Sequence, residues 1–465
     1  MRLGDIAKIL SAAGEFVAFE GEDVEVLGGT ADSRQVKPGM LFCAIHGAKS
    51  DGNRYIAQAL RAGAIAVLSD ATEAPVLPVG IPLLRVRSGR GYQSIAKVAE
   101  ALAGFPAHKL RLIGITGTCG KTTTAFLLRA ILRAAGKRVG MIGTVVYDDG
   151  VCEHAADRTT PTPFELQELF SQMLNNGVEY VVMEVSSAAL DQERTGTAKF
   201  DAAVFTNFSR DHLDYHGTME AYYECKRALF TRFLKPGAPA IINLDDAKGR
   251  ELARELDTLI GFSLANTPAP WKTLLTGCFN EYNATCAGLT ARAIGIPDEV
   301  IAQALASCAG APGRLERIEC PNGVVAFVDY AHTPEEITKA LEALRPLCHG
   351  KLGIVFGCGG DRDRGKRPQM AQAASLADCI WVTSDNPRTE KPADIIADIL
   401  PGIPKDKPYV VEEERKDAIT QAICALHDGD FLLIAGKGHE DYQEINGVHY
   451  HFSDSEVVRQ IRVRG

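Results

Sequence analysis

Ile113-Gly114-Ile115-Thr116-Gly117-Thr118-Cys119-Gly120-Lys121-Thr122-Thr123 is the stretch that decides the fold of this 465-residue chain. A short β-branched run leads into a glycine-rich turn, then Lys-Thr, then a helical pattern from Thr124 to about Arg133. Strand, turn and helix in that order make a phosphate-binding loop. The turn's N–H groups and the helix N-terminus point at an anion, and the helix dipole favours negative charge there. In such a loop Lys121 reaches the β- and γ-phosphates and Thr122 holds Mg2+. The spacing departs from G-x-x-x-x-G-K-[ST]: Gly114 lies one residue too far away, and Gly117 gives a shorter G-x-x-G-K-T. The class of chemistry follows: a nucleoside triphosphate enters and a phosphoryl group moves.

Outward from the loop, the chain alternates. Strands are predicted at 110–116, 139–145, 180–185, 203–207 and 240–243, with helices between them; this alternation implies a parallel sheet with helices on both faces. Thr162-Pro163-Phe164-Glu165 is a capping box with Pro at the first helical position, so a helix starts there. A helical stretch runs from about Asn283 to Ala306. Towards the C-terminus strands recur near 324–328, 353–356, 380–383 and 431–434, and Thr333-Pro334-Glu335-Glu336 repeats the capping box. Towards the N-terminus, strand-like runs at 41–45 and 64–68 flank a helix near 56–62. Phe105-Pro106-Ala107-His108 and Gly310–Gly313 are candidate linkers, so the expected domains are 1–107, 108–311 and 312–465. The fold class is α/β in three domains, which agrees with the length at about 150 residues per domain.

The net charge of −9 argues against a general nucleic-acid or anionic-membrane binder, while leaving local Lys and Arg for anionic substrates. Twelve cysteines lie scattered, with no C-x-x-C pair, which reads as reduced thiols and a cytoplasmic protein. No apolar leader or membrane span is evident.

Polar clusters follow the strands, where ligands bind in open α/β sheets. Glu184 ends the run Tyr180-Val181-Val182-Met183 and is a natural Mg2+ ligand. Thr206–Gly217 carries two His and two Asp within six residues, including His212. Lys226 lies on a partly apolar helix face, where a lysine ordinarily snorkels to water. In the last third, Asp329–Pro334 (with His332), Gly357–Pro368, Ser384-Asp385-Asn386-Pro387-Arg388 and Gly436-Lys437-Gly438-His439-Glu440 suit a zwitterion: Arg forks a carboxylate, and Asp and Glu hold an ammonium.

Taken together these residues resemble the Mur ligases, specifically the MurE type. The matching segments are Asp32-Ser33-Arg34, Pro38-Gly39-Met40-Leu41-Phe42, the phosphate loop, Thr159-Thr160-Pro161, Met183–Ser187, Ser209–Gly217, Phe279–Asn283, Gly313–Glu316 and the four C-terminal clusters. The resemblance implies an N-terminal domain for a UDP-sugar, a central ATPase domain and a mobile, Rossmann-like C-terminal domain that delivers an amino acid. It implies that Ser33 contacts UDP, and that Thr159, Thr160, Ser187 and Arg194 line the site for UDP-N-acetylmuramoyl-L-alanyl-D-glutamate. Gly117, Thr118, Cys119, Gly120, Lys121, Thr122, Thr123, Asn283 and Arg314 would bind ATP. Thr122, Glu184 and His212 would serve two Mg2+ ions, with Lys226 carbamylated by CO2 and supporting the second. Arg362, Asp385, Asn386, Arg388, Gly436 and Glu440 would read the amino acid, and His332 is a positioning candidate.

Asp-Asn-Pro-Arg is that family's signature for meso-diaminopimelate. Arg388 can fork its distal carboxylate; with lysine, Arg388 would be left without a counter-ion, at a cost of roughly 3–5 kcal/mol. The implied enzyme is a monomeric, cytoplasmic ligase of peptidoglycan synthesis, working through an acyl phosphate and serving cell wall, shape and division. A lysine-adding ligase, a folylpolyglutamate-synthase-like enzyme and a non-catalytic family member stand as alternatives. The chain departs from the family pattern at Cys119 (usually Asn), Ala188 (usually His) and Asn53 (usually His), and its 246–277 stretch is short, so the central domain is expected to be reduced there.

Overall fold

The computed structural model describes residues 1–47, 50–265 and 267–461. The chain groups into two compact units: Met1–Trp271 with Thr285–Ala304, and Lys272–Ala284 with the chain from Leu305 onward.

The first unit holds two sheets. Five strands, β1 (Phe16–Glu20), β2 (Gly28–Thr30), β3 (Met40–Ala44), β4 (Ala66–Ser69) and β5 (Leu83–Val86), lie in the order β1-β5-β4-β3-β2, parallel except for β1. Only β3 and β4 are evident from sequence. β2 has only three residues, and β1 lies at a sheet edge, where half-exposed residues blur the apolar signal. The second sheet has eight strands: β6 (Arg111–Thr116), β7 (Val139–Ile142), β8 (Val146–Asp148), β9 (Glu153–Ala155), β10 (Tyr180–Glu184), β11 (Ala202–Phe205), β12 (Ala240–Asn243) and β13 (Leu259–Phe262). Their order is β13-β12-β11-β6-β10-β7-β8-β9, parallel from β13 to β7. The expected strand 139–145 ends at Ile142. There the chain leaves the parallel register at Gly143 and reverses into the antiparallel β8 and β9. The β-branched runs of β6 and β10 are buried on both faces, as parallel strands require, over a core that includes Phe170, Phe200 and Phe205.

The second unit holds β14 (Glu316–Glu319), β15 (Val325–Asp329), β16 (Leu352–Phe356), β17 (Cys379–Val382), β18 (Tyr409–Val411) and β19 (Phe431–Ala435) in the order β14-β15-β19-β16-β17-β18. All are parallel except β14. A hairpin of β20 (Tyr442–Ile445) and β21 (Val448–His451) follows. Both predicted capping boxes form, on Thr162 with Glu165 and on Thr333 with Glu336. The helix expected over 283–306 is instead two helices, Cys278–Ala293 and Asp298–Ser307. Gly295 takes a left-handed φ of 93° and Pro297 cannot continue a helix, so apolar periodicity on either side could not join them.

Within the first unit a buried ionic cluster ties the helix Gly91–Leu102 to the turn before Arg194. Glu193 accepts from Lys97 at 2.9 Å, Arg232 at 2.6 Å and Arg90 at 3.3 Å. Burial alone would raise its pKa, but the hydrogen bonds from Lys97 and Arg232 outweigh it and hold the carboxyl at about 2. A depressed carboxylate stabilises the fold above its unfolded pKa, and the contribution is lost as pH falls through the folded value. Between pH 4.5 and 2 the loss is about 3 kcal/mol, at about 1.4 kcal/mol per pH unit. Denaturant titrations of Glu193→Gln and the parent across this window should converge as pH falls; a constant difference would assign the stability to packing instead.

Candidate active site

Four neighbouring strands of the eight-stranded sheet, β11, β6, β10 and β7, deliver their carboxyl ends to one place. After β6 the phosphate loop turns through Gly117 and Gly120, both at positive φ, into the helix Lys121–Ala134. Residues after β11 brace the loop. Thr118 N–H donates to Asn207 O, Cys119 N–H donates to Asn207 Oδ1 at 2.9 Å, and Thr206 Oγ1 donates to Cys119 O at 2.6 Å. Residue 119 therefore acts through its backbone while its side chain is exposed, which accommodates the departure from Asn. A Cβ at Gly117 would overlap Thr206 Oγ1 and crowd Asn207. Gly117→Ala is expected to weaken ATP binding by at least about tenfold, since the braced loop must shift; calorimetric titration checks it, and unchanged affinity would mean the loop shape is dispensable.

Glu184, wholly buried at the end of β10, accepts from Thr122 Oγ1 at 2.9 Å, Thr144 N–H at 2.9 Å and Thr144 Oγ1 at 3.1 Å. Gly143 leaves room for the carboxylate, which a Cβ there would strike. Among the described residues Glu184 has no ion-pair partner, and its buried carboxyl oxygens suit a cation. A hydroxyl and a carboxylate are hard oxygen donors that fit Mg2+, with water and phosphate supplying its other ligands. No three His, Cys, Asp or Glu side chains form a cage among the described residues, and an Mg2+ site of this kind needs none.

Lys226 does not snorkel. Its side chain is buried, with Nζ donating to Gly117 O at 2.7 Å and lying 4.5 Å from the centre of the Tyr222 ring. Burial first, then the charge of Lys121, push its pKa well below the ordinary lysine range. Lys121 itself folds back onto the carbonyls of Gly117 and Thr118, at 3.0 and 2.8 Å. His212 sits at a left-handed φ of 50°, 3.4 Å from Asp211 and edge-on to Tyr222. Among the described residues it makes no hydrogen bond or ion pair with Glu184, so the structure brings together Thr122 with Glu184, and Lys226 with the loop, but not the full expected quartet.

Thr159 and Thr160 join this cluster. Thr159 Oγ1 lies 3.1 Å from Thr144 Oγ1, and Thr160 Oγ1 donates to Glu184 O at 2.8 Å. Arg194 reaches Thr160 O. Ser187 Oγ lies 2.8 Å from His216 Nε2, a partner supplied from the loop after β11 although residue 188 is Ala. Ser33 stands apart, in the turn after β2 beside the Asp32–Arg34 ion pair. Asn53 is held by Asp51 and Ser69.

In the second unit the carboxyl ends of β15, β19, β16 and β17 converge in the same way. Buried Asp385 and Asn386 follow β17, and Gly436, at φ 119°, passes so close to Asp385 that a Cβ would collide with its carboxylate. Asn386 Nδ2 donates to Glu440 Oε2 at 2.8 Å, and the wholly buried Lys437 donates to both Asn386 Oδ1 and Glu440 at 3.0 Å. Arg415, also wholly buried, forks Asp454 and donates to the carbonyls of Ala435 and Ser384, pinning the ends of β19 and β17. Arg362 stays exposed on the loop after β16. His332 Nδ1 lies 2.9 Å from Tyr330 O; a carbonyl only accepts, so Nδ1 carries a proton. Arg314 lies 4.7 Å from the centre of the Tyr330 ring, and Asn283 donates to Asn280.

Arg388 requires a correction. It was expected to lack a counter-ion when no distal carboxylate is bound. In the structure Arg388 Nε donates to Glu444 Oε2 at 2.9 Å and Nη1 to Gly360 O at 2.9 Å. The guanidinium is therefore not stranded when no distal carboxylate is present. Thr144, Asn207, His216, Lys437 and Glu444 were given no role from sequence. Asn207, His216 and Lys437 lie inside clusters that sequence singles out, and Gly143-Thr144 lie within the strand predicted over 139–145; Glu444 carries no local signal.

Three segments match family models: residues 26–101 the Mur ligase family catalytic domain, 115–273 the Mur ligase middle domain and 313–438 the Mur ligase glutamate ligase domain. The chain is 42% identical over 464 residues to the UDP-N-acetylmuramoyl-L-alanyl-D-glutamate–2,6-diaminopimelate ligase of Gloeobacter violaceus, covering 94% of each. It is 39% identical over 484 residues to the ligase of the same name from Geobacillus thermodenitrificans, covering 97% of this chain and 98% of the other. A solved structure of a ligase of that name superposes with a TM-score of 0.63 at 33% identity, over 93% of this chain and 94% of that one. The Thermotoga maritima MurF ligase in complex with ADP shares the fold, with a TM-score of 0.60 at 20% identity over 88% and 93% of the two chains. Fold and site thus define an ATP-dependent ligase that forms amide bonds. The chain belongs to the Mur ligase family.

Proposed function

We propose that this ligase adds meso-diaminopimelate to UDP-N-acetylmuramoyl-L-alanyl-D-glutamate, at the expense of ATP, in cytoplasmic peptidoglycan precursor synthesis. The observation that carries the substrate is Asp385-Asn386-Pro387-Arg388 at the end of β17, with Arg388 Nη2 free of hydrogen bonds among the described residues. A distal carboxylate, present in diaminopimelate and absent from lysine, suits that edge.

The loop amides and Lys121 hold the phosphates. Thr122 and Glu184 would hold Mg2+, and His212 and a carbamate on Lys226 would serve a second ion. When bound, Mg2+ would neutralise charge on the transferring phosphoryl group. The substrate's γ-carboxylate oxygen attacks the γ-phosphorus and ADP departs. The diaminopimelate amine then attacks the acyl carbon, phosphate leaves and the nitrogen loses a proton. The protein's share is positioning and charge neutralisation. Ser33, Thr159, Thr160, Ser187 and Arg194 hold the UDP-linked dipeptide. Asp385, Asn386, Arg362, Gly436 and Glu440 hold the amino acid, and His332 positions it. Asn283 and Arg314 serve ATP, and the enzyme works as a monomer.

Phosphate release from ATP, Mg2+ and the UDP-dipeptide, with meso-diaminopimelate, L-lysine or no amino acid, tests this. Release with diaminopimelate alone is expected. Release with lysine would keep the ligase and overturn the substrate, and silence in all three would overturn both.

A further inference from the structure

We propose that Glu444 is a positioning residue for amino-acid recognition, acting through Arg388. The proposal rests on the reading that Arg388 meets the distal carboxylate. Glu444 lies on β20, 56 residues beyond Arg388, outside every cluster that the sequence marks.

The geometry is specific. Arg388 takes a left-handed φ of 51°, a conformation that a side-chain-bearing residue holds only when its surroundings impose it. The β20–β21 hairpin imposes it. Arg388 N–H donates to Glu444 O at 3.0 Å and Asn446 N–H donates back to Arg388 O at 2.8 Å, a parallel bridge onto the recognition loop. Glu444 N–H donates to Asn386 Oδ1 at 2.9 Å, and Gln443 Nε2 donates to Asp385 O at 2.7 Å. The hairpin thus holds Asp385, Asn386 and Arg388: Arg388 through two backbone bonds, Asp385 through the Gln443 side chain and Asn386 through its own side-chain oxygen.

The Glu444 side chain then fixes the guanidinium. A guanidinium has five N–H donors in a rigid plane. Glu444 takes Nε and Gly360 O takes one Nη1 donor. The in-plane torsional freedom of the arginine tip is used up at these two points. One Nη1 donor and both Nη2 donors remain, and a guanidinium meets a carboxylate end-on with two parallel bonds, one from each Nη. Without Glu444, Nε loses its acceptor and the tip can rotate. With glutamine there, an amide oxygen still accepts from Nε.

Steady-state kinetics with meso-diaminopimelate varied at saturating ATP and UDP-dipeptide test the proposal on Glu444→Ala, Glu444→Gln, Arg388→Ala and the double alanine variant. Glu444→Ala should raise KM for diaminopimelate about tenfold, about the effect of one hydrogen bond to a charged group. kcat and KM for ATP should hold within about twofold, since the phosphate loop and the reacting amine are untouched. Glu444→Gln should recover most of the lost KM, and the double variant should be no worse than Arg388→Ala, because a residue that acts only through Arg388 has nothing left to position. An unchanged KM in Glu444→Ala, with Arg388→Ala impaired, would overturn the role of Glu444 and leave the substrate reading standing. Multiplying effects in the double variant, or equal loss of kcat and ATP use, would make Glu444 merely structural. An unimpaired Arg388→Ala would overturn the substrate reading and this proposal with it.

Discussion

Lys226→Ala is expected to lower ligase turnover about 10³-fold, the scale seen when one preorganised electrostatic group is lost from a phosphoryl- or acyl-transfer site. Three features of the lysine point the same way. Its amine is buried, it donates to the phosphate loop through Gly117 O, and no carboxylate pairs with it among the described residues. A buried ammonium without a counter-ion is costly, so the neutral amine is favoured, in line with the depressed pKa. A neutral amine is what reacts with CO2: its nitrogen lone pair bonds the carbon, a proton leaves, and the product is an anionic oxygen donor beside the phosphate loop. In the parent enzyme, activity should therefore fall when dissolved CO2 is stripped and return when bicarbonate is added. In Lys226→Ala, bicarbonate should restore nothing, while ADP binding and the thermal midpoint stay near parent values. Full turnover in the variant, or a parent enzyme indifferent to CO2, would sink the carbamate.

Arg388→Ala is expected to raise KM for meso-diaminopimelate by about 10- to 100-fold, from the 1.5–3 kcal/mol of a charged hydrogen-bonded contact. The dissociation constant for ATP should not change, because the phosphate loop belongs to the other compact unit. Glu444 shapes this expectation. Removing Arg388 leaves that carboxylate without its cation, so the variant should bind the distal carboxylate less well than an uncharged site would. A modest gain with L-lysine is the counterpart, since the distal ammonium then meets an acid no longer neutralised. Equal weakening of diaminopimelate and ATP would show that the arginine is misassigned.

The parallel construction of the two sites explains how each is held. In both sheets four adjacent parallel strands end together, and short loops there carry the polar groups. Ionic or hydrogen-bonded groups fasten those loops: Asn207 and Thr206 for the phosphate loop, and buried Arg415 with Asp454 for the loops after β17 and β19. The side chains that contact ligands can then keep their directions before any ligand arrives, which is the economy of a preorganised site.

What the sequence by itself determined is what depends on neighbours along the chain. Gly117 to Thr123 must form an anion-binding turn because glycine φ angles and a helix start lie within seven residues. The Thr162 and Thr333 capping boxes form for the same reason, and β-branched runs such as Val181-Val182 set the buried strands. The helix break at Gly295 and Pro297 was equally local, yet the apolar periodicity on both sides masked it. Only the tertiary structure decided the rest, because it depends on residues far apart in the chain. It buried Lys226 against Gly117, 109 residues away, where a helix-face pattern predicted a snorkelling lysine. It set Thr144 on Glu184 across β7 and β10 and gave Ser187 a partner in His216. It paired Arg388 with Glu444, which cancels the stranded cation expected from the motif alone. Burial and counter-charge are properties of the packed environment, so the charge state and aim of a side chain are settled only when the strands that carry its partners come together.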